Sequence, residues 1–240
     1  MNKQAQAVVM LLFGGAIVKA SVTDMYLRYV KEGLRPFLIA AGLLLIAAAL
    51  MTLFYELRRP TAHQHDHDHG DGKPHREPRV GWFLILPVLG LLLVAPPALG
   101  SFAAGQAGTA LSSQSISDYP PLPEGDPATI TVLDYATRAV FDEGVSLGER
   151  RVQLTGFITQ GPDGQPILAR IILSCCAADG RPIKVGMSGD APTGLAADTW
   201  VEVIGKYTDR TATDPVNEES IPFLEVETWR QIDPPKQPYE

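Results

Sequence analysis

The chain has 240 residues, a formal net charge of −7 and two cysteines. That length allows one or two domains, and two cysteines exclude a disulfide framework. The acidic charge lies mostly in the second half, where it repels phosphate backbones and sets nucleic acid aside as a partner.

Apolar residues crowd the first part of the chain, whereas 106–240 has ordinary soluble composition. The first apolar stretch covers 5–22, with Lys19 near its end. It approaches the ~20 residues with which a helix crosses a bilayer. A cleaved signal peptide is the competing reading, but 14–23 offers no cleavage pattern followed by a polar mature start. Tyr26, Arg28, Tyr29, Lys31 and Arg35 then form a short connector suited to a headgroup interface. A second span is predicted over 34–55, stopped by Glu56, Arg58 and Arg59. A third is predicted over 80–102, with Pro87, Pro96 and Pro97 inside it. Gly14, Gly15, Gly42 and Gly90 would let such helices approach closely. Lys3, Arg58, Arg59, Lys73, Arg76 and Arg79 outnumber Arg28, Lys31 and Arg35. The positive-inside bias therefore places the N-terminus and second connector in the cytoplasm and 106–240 outside, as expected of a multi-pass cell-membrane protein.

The second connector, 61–79, holds all five histidines: His63, His65, His67, His69 and His75. Asp66, Asp68 and Asp71 are interleaved with them. Imidazole and carboxylate are ligands for zinc and similar divalent ions. A polar, glycine-containing segment must be ordered to wrap an ion, so its affinity is modest and the ion exchangeable. The plainer reading is a solvated low-complexity linker.

Residues 105–128 read as a linker leading to a soluble domain over 129–240. A short strand over 130–133 precedes a helix over 134–143, with Ala136, Val140 and Phe141 on one face and Asp134 as its cap. Five strands are predicted over 151–158, 166–177, 183–187, 200–207 and 223–232. Turns fall at 161–164 and 178–182, and the longer connection 186–198 is where a small barrel often places a helix. The expected architecture is thus a membrane α-helical N-terminal half of about three spans, followed by a mainly β, OB-like five-stranded barrel. A β-sandwich is the alternative. The interleaved aromatic and basic residues of single-strand binders are missing, so Trp200, Tyr207, Phe223 and Trp229 read as core or rim packing.

Cys175 and Cys176 lie side by side in Ile171-Ile-Leu-Ser-Cys-Cys-Ala-Ala-Asp179. In a regular strand they would point to opposite faces, so both can face one ion only where the strand is broken. Three chemical readings stay open. They are two separate thiols, a strained redox-sensitive bridge, or thiolates that hold a soft or borderline metal with Asp179 or a partner chain. Packing as small hydrophobes is the plain alternative. The soluble half has no histidine, which excludes Cys–His and Ser–His–Asp arrangements there, and no Gly-rich phosphate loop is present. No enzyme activity is expected.

Ser174-Cys-Cys-Ala-Ala-Asp179, Trp200-Val-Glu-Val-Ile-Gly-Lys206, Pro222-Phe-Leu-Glu-Val-Glu227 and Pro235-Lys-Gln-Pro-Tyr-Glu240, together with the order of spans, resemble the YcgQ family of bacterial membrane proteins. Those proteins are described as the second component of a permease system. The resemblance implies a polytopic permease as partner and an association with metal homeostasis. Two spans are a common pattern in that family, and it has no established catalytic residues. The expectation is an accessory subunit of a two-component membrane permease that handles a divalent metal, zinc first. One alternative is an extracytoplasmic thiol-redox protein using the vicinal cysteines. The other is a ligand-free, membrane-anchored interaction module.

Overall fold

The first helix, α1 (Lys3–Val22), and the second, α2 (Arg35–Arg58), are built from Ala, Leu, Ile, Val and Gly with few charges. Neither has a polar face of its own. Phe37, Leu44, Met51, Phe54, Tyr55 and Leu57 of α2 stand exposed. The segment Glu32–Arg58 is long and apolar enough to cross a membrane, with mean hydropathy 2.6. The apolar part of α1, Gln6–Val22, is shorter. The two helices meet at Gly14 and Gly42. A Cβ on Gly14 would lie 2.8 Å from the Gly42 carbonyl oxygen, and one on Gly42 would lie 2.7 Å from Val18. Close approach at small residues is how helices gain dispersion contacts without a hydrophobic drive. Asp24, in the left-handed region at φ 58°, turns the chain after α1 and pairs with Arg35 at 3.5 Å.

The computed structural model describes residues 3–58, 90, 97–111, 119–161 and 164–240. The histidine connector and most of the third apolar stretch lie outside these residues. The chain divides into two units, one carrying α1 and α2, the other formed by Leu27–Lys31 with Ala98–Glu240.

The second unit is a closed five-stranded β-barrel with additions. Its elements are α3 (Ser101–Gln106), β1 (Ala128–Thr129), α4 (Val132–Phe141), β2 (Val152–Gln160), β3 (Pro166–Ile172), β4 (Arg181–Gly189), β5 (Trp200–Thr213) and β6 (Ser220–Gln231). The barrel order is β2-β3-β4-β6-β5, closed by antiparallel pairing of β2 with β5 from Val152↔Gly205 to Phe157↔Trp200. The β4–β6 pair is parallel and the others around the barrel are antiparallel. This is the strand order of an OB-type barrel, as alternation in the sequence predicts. Gly205 sits at a register shift against β6, where a side chain would collide with the Glu225 backbone.

The interior follows from period-two alternation. Val152, Leu154 and Ile158 of β2, Leu168 of β3, Ile183, Val185 and Met187 of β4, Val201 and Val203 of β5, and Leu224 and Val226 of β6 share one core. Helix α4 packs on it through Val132, Tyr135, Ala136 and Ala139. The covering helix thus precedes the strands. The connection 186–198, where a helix is expected, has none, since β4 runs on to Gly189 and the residues after it are irregular. Residues 130–133 are not a strand, since β1 ends at Thr129 and the helix starts at Val132. Its cap is Thr131, whose hydroxyl accepts the Asp134 N–H at 2.9 Å. Asp134 instead pairs with the buried Arg138 at 2.9 Å, because a carboxylate one turn earlier is the nearest partner for a guanidinium that has lost water.

A second core lies on the outer face of the barrel. Phe157, Ala169, Ile171 and Trp200 point outward and are covered by Ala104, by partly buried Leu99, and by Tyr239. Further along, Ala107–Leu111 crosses β4. Lys184 donates to the Ala107 carbonyl at 2.9 Å and to Asp214 Oδ2 at 2.8 Å, while Asp214 Oδ2 also accepts the Thr109 N–H at 2.9 Å. In barrels of this kind the face around the second and third strands commonly takes oligonucleotides or sugars. Here the chain itself covers that face.

Candidate functional site

Regular pairing of β3 ends at Ile172. Leu173 and Ser174 bend away, and Ala177–Asp179 closes a single 3-10 turn. Both cysteines therefore leave the strand before alternation can send them to opposite faces. The turn is organised by Asp179. Its Oδ1 accepts the Ser174 N–H at 3.0 Å, and its Oδ2 accepts the Cys175 and Cys176 N–H at 2.8 and 3.4 Å. Such backbone bonds hold a carboxylate ionised. The hydrogen bond from the Cys175 thiol contributes most, the backbone bonds add to it against some desolvation, and the Asp179 carboxyl is lowered to about 2.

The same contact has the opposite effect on sulfur. Asp179 accepts a hydrogen bond from the Cys175 thiol, Cys176 adds another, and the thiol is pushed up to about 11. Both cysteines are free thiols, Cys175 exposed and Cys176 half-buried. Their sulfur atoms and one Asp179 oxygen all lie within 4.8 Å of one another. Two thiols and a carboxylate converging from one five-residue turn form a donor set suited to a borderline or soft divalent ion. A cation among them reverses the local electrostatics, since the charge that opposes the thiolate then has a counter-ion.

The turn is bracketed by a segment far away in sequence. The Ala177 N–H donates to the Tyr29 carbonyl at 2.7 Å, and the Lys31 N–H donates to the Cys175 carbonyl at 3.0 Å. Val30 and Cys176 thus form an antiparallel bridge. The Lys31 ammonium reaches the Leu173 carbonyl at 3.3 Å, and the Tyr239 hydroxyl donates to the Arg28 carbonyl at 2.8 Å. On the other side, the Leu173 N–H donates to the Glu240 carbonyl at 3.0 Å. The Glu240 carboxylate also accepts the Val132 and Leu133 N–H at the start of α4 and lies 3.6 Å from buried Arg170. Burial holds the Glu240 carboxyl above its usual range, partly offset by Arg170 and those amides.

The sequence singles out Cys175, Cys176 and Asp179, and the structure brings all three together. It does not describe His63, His65, Asp66, His67, Asp68, His69 or His75. Sequence reasoning misses Tyr29, Val30 and Lys31 as the paired backbone, since Tyr29 and Lys31 read as headgroup-interface residues and Val30 carries no functional signal of its own. A β-branched residue between Tyr29 and Lys31 is the one local hint of extended chain there.

Residues 143–240 match the model of the DUF1980 C-terminal domain, which supports an uncharacterised-domain family for this part of the chain. No curated protein and no solved structure matches it.

Proposed function

We propose that this protein is the accessory subunit of a two-component membrane permease, and that its barrel presents a site for a borderline divalent ion, zinc first. The observation that carries the reading is the convergence of Cys175, Cys176 and Asp179. The competing thiol-redox function needs a reactive thiolate. Asp179 opposes one by keeping Cys175 protonated, and an incoming cation relieves that opposition. The histidine connector is a second, weaker metal-binding element in this reading, with its ligands on His63, His65, His67, His69, His75, Asp66 and Asp68.

The proposed arrangement in the membrane is multi-pass with the barrel outside. Leu27–Lys31 pairs with barrel residues, so the connector between α1 and α2 shares the barrel's side. A chain that leaves that side through α2 and rejoins it by Ala98 crosses once more in between. The part of the apolar stretch 80–102 that precedes Ala98 supplies that crossing in this reading, because Ala98 onward belongs to the barrel unit.

The test is affinity purification of the full chain from its own membranes in mild detergent, followed by elemental analysis and mass spectrometry. The expected result is zinc at about one ion per chain in protein lacking residues 62–75, lost in C175S/C176S, with a polytopic membrane protein in the eluate. Zinc content indifferent to the cysteines would overturn the metal assignment, and a lone chain would overturn the subunit assignment.

A further inference from the structure

The geometry points to a coupling device: the segment Leu27–Lys31 reads the occupancy of the cysteine turn and carries it to the start of α2. The inference rests on the metal reading above and extends it from a site to a regulated contact.

Two observations support it. The first is the match between the turn and an ion. Two thiolates on one tetrahedral ion lie roughly 3.8 Å apart when each metal–sulfur bond is about 2.3 Å. The donors here lie within 4.8 Å of one another, a span that takes in that spacing, and an ion among them replaces the hydrogen bond from the Cys175 thiol to Asp179 with metal–ligand bonds, so loading rearranges the turn. As a divalent ion enters, Cys175 and Cys176 each pass one proton to water and form metal–sulfur bonds, and Asp179 contributes oxygen.

The second is what the turn is tied to. The backbone of the cysteine pair is itself the pairing edge. The Cys175 carbonyl takes the Lys31 N–H, and the Ala177 N–H is given to Tyr29. Cys176, one of the donors, is the bridge partner of Val30 between them. Movement of the sulfur-bearing residues therefore changes the geometry of both hydrogen bonds, with no intervening side chain to absorb it. Residue 32 begins the 3-10 turn Glu32–Leu34 that runs directly into α2. A ligand shifts such an equilibrium only by its differential affinity for the two arrangements, and the coupling is reciprocal.

The experiment is hydrogen–deuterium exchange on the full chain in detergent micelles, with and without zinc, alongside zinc titration. Zinc loading is expected to change exchange of the Lys31 and Ala177 amides at least threefold in the native chain, and to leave them unchanged in C175S/C176S. The reciprocal variant is Lys31→Pro, which removes the N–H that reaches Cys175. It is expected to shift zinc affinity at the cysteine site about fivefold or more, whereas Lys31→Ala, which keeps that N–H, stays within about twofold. Cysteine-dependent zinc binding with no change in the Lys31 and Ala177 amides would overturn the coupling and leave the metal site standing. Absence of cysteine-dependent binding would overturn both. The exchange measurement on native protein decides the matter even if Lys31→Pro does not fold.

Discussion

A carboxylate that accepts three backbone amides is fixed in place, and Asp179 is held in this way by Ser174, Cys175 and Cys176. Its folded-state pKa is depressed to about 2, below its unfolded value. The stability it lends the turn is therefore present above the unfolded value and lost as pH falls through about 2. Its charge also sets the chemistry of Cys175. Ionising that thiol forfeits its hydrogen bond to Asp179 and the one with Cys176, and places a second negative charge beside the first, so its pKa rises to about 11. In a C176S background, alkylation of Cys175 by iodoacetamide should be slow at pH 8 and should climb steadily through pH 10. Asp179→Asn should raise the pH 8 rate by about tenfold, the gain in thiolate being partly offset by the weaker nucleophilicity of a lower-pKa thiol. Equal rates in the two proteins would show that Asp179 does not control the sulfur. Cys175, Cys176 and Asp179 were legible as a group from composition and spacing alone. The anchoring role of Asp179 was not, because it depends on the strand ending at Ile172 rather than running on through the cysteines.

Among the elements, the covering strap 98–111 departs furthest from expectation, since 98–102 reads as the end of a third span and 105–111 as the start of a linker. Thr109 and Leu111 are buried, and the strap is fastened through Lys184 and Asp214. Asp214 has no exposed surface, and desolvation works against its charge. Lys184 and the amides of Val216 and Thr109 outweigh that and hold its carboxyl below the usual range. Asp214→Asn leaves a buried ammonium without its counter-charge and should cost about 3 kcal/mol in chemical denaturation. A loss below about 1 kcal/mol would mean that the pair is solvated in practice. The strands themselves were readable because each buries one face and so alternates. The strap was not, because small residues lying across a sheet carry no period. The cap of α4 was misplaced by three residues for a related reason. Asp134 and Thr131 are equally good capping types, and only the partner of Arg138 distinguishes them.

For the molecule as a whole, the pairing of Leu27–Lys31 with the cysteine turn places an N-terminal connector and a C-terminal barrel in one folding unit. A cysteine introduced at Gly33, where nothing lies within 4 Å of the new side chain, gives a way to test sidedness. In a C175S/C176S background, a membrane-impermeant maleimide added to intact cells should label that residue. Cys175 of the native chain should be labelled from the same side, and a tag at the N-terminus should be reached only after permeabilisation. Opposite labelling of position 33 and Cys175 would contradict the shared side. The connector also has a consequence for biogenesis. Contacts between residues this far apart in sequence close late, after the intervening chain has been made. Residues 27–31 emerge first and wait for the cysteine turn and for Tyr239. Until then the Cys175 carbonyl and the Ala177 N–H lack their partners on Lys31 and Tyr29, so the barrel can close on its own while the cysteine turn is still waiting for its second edge.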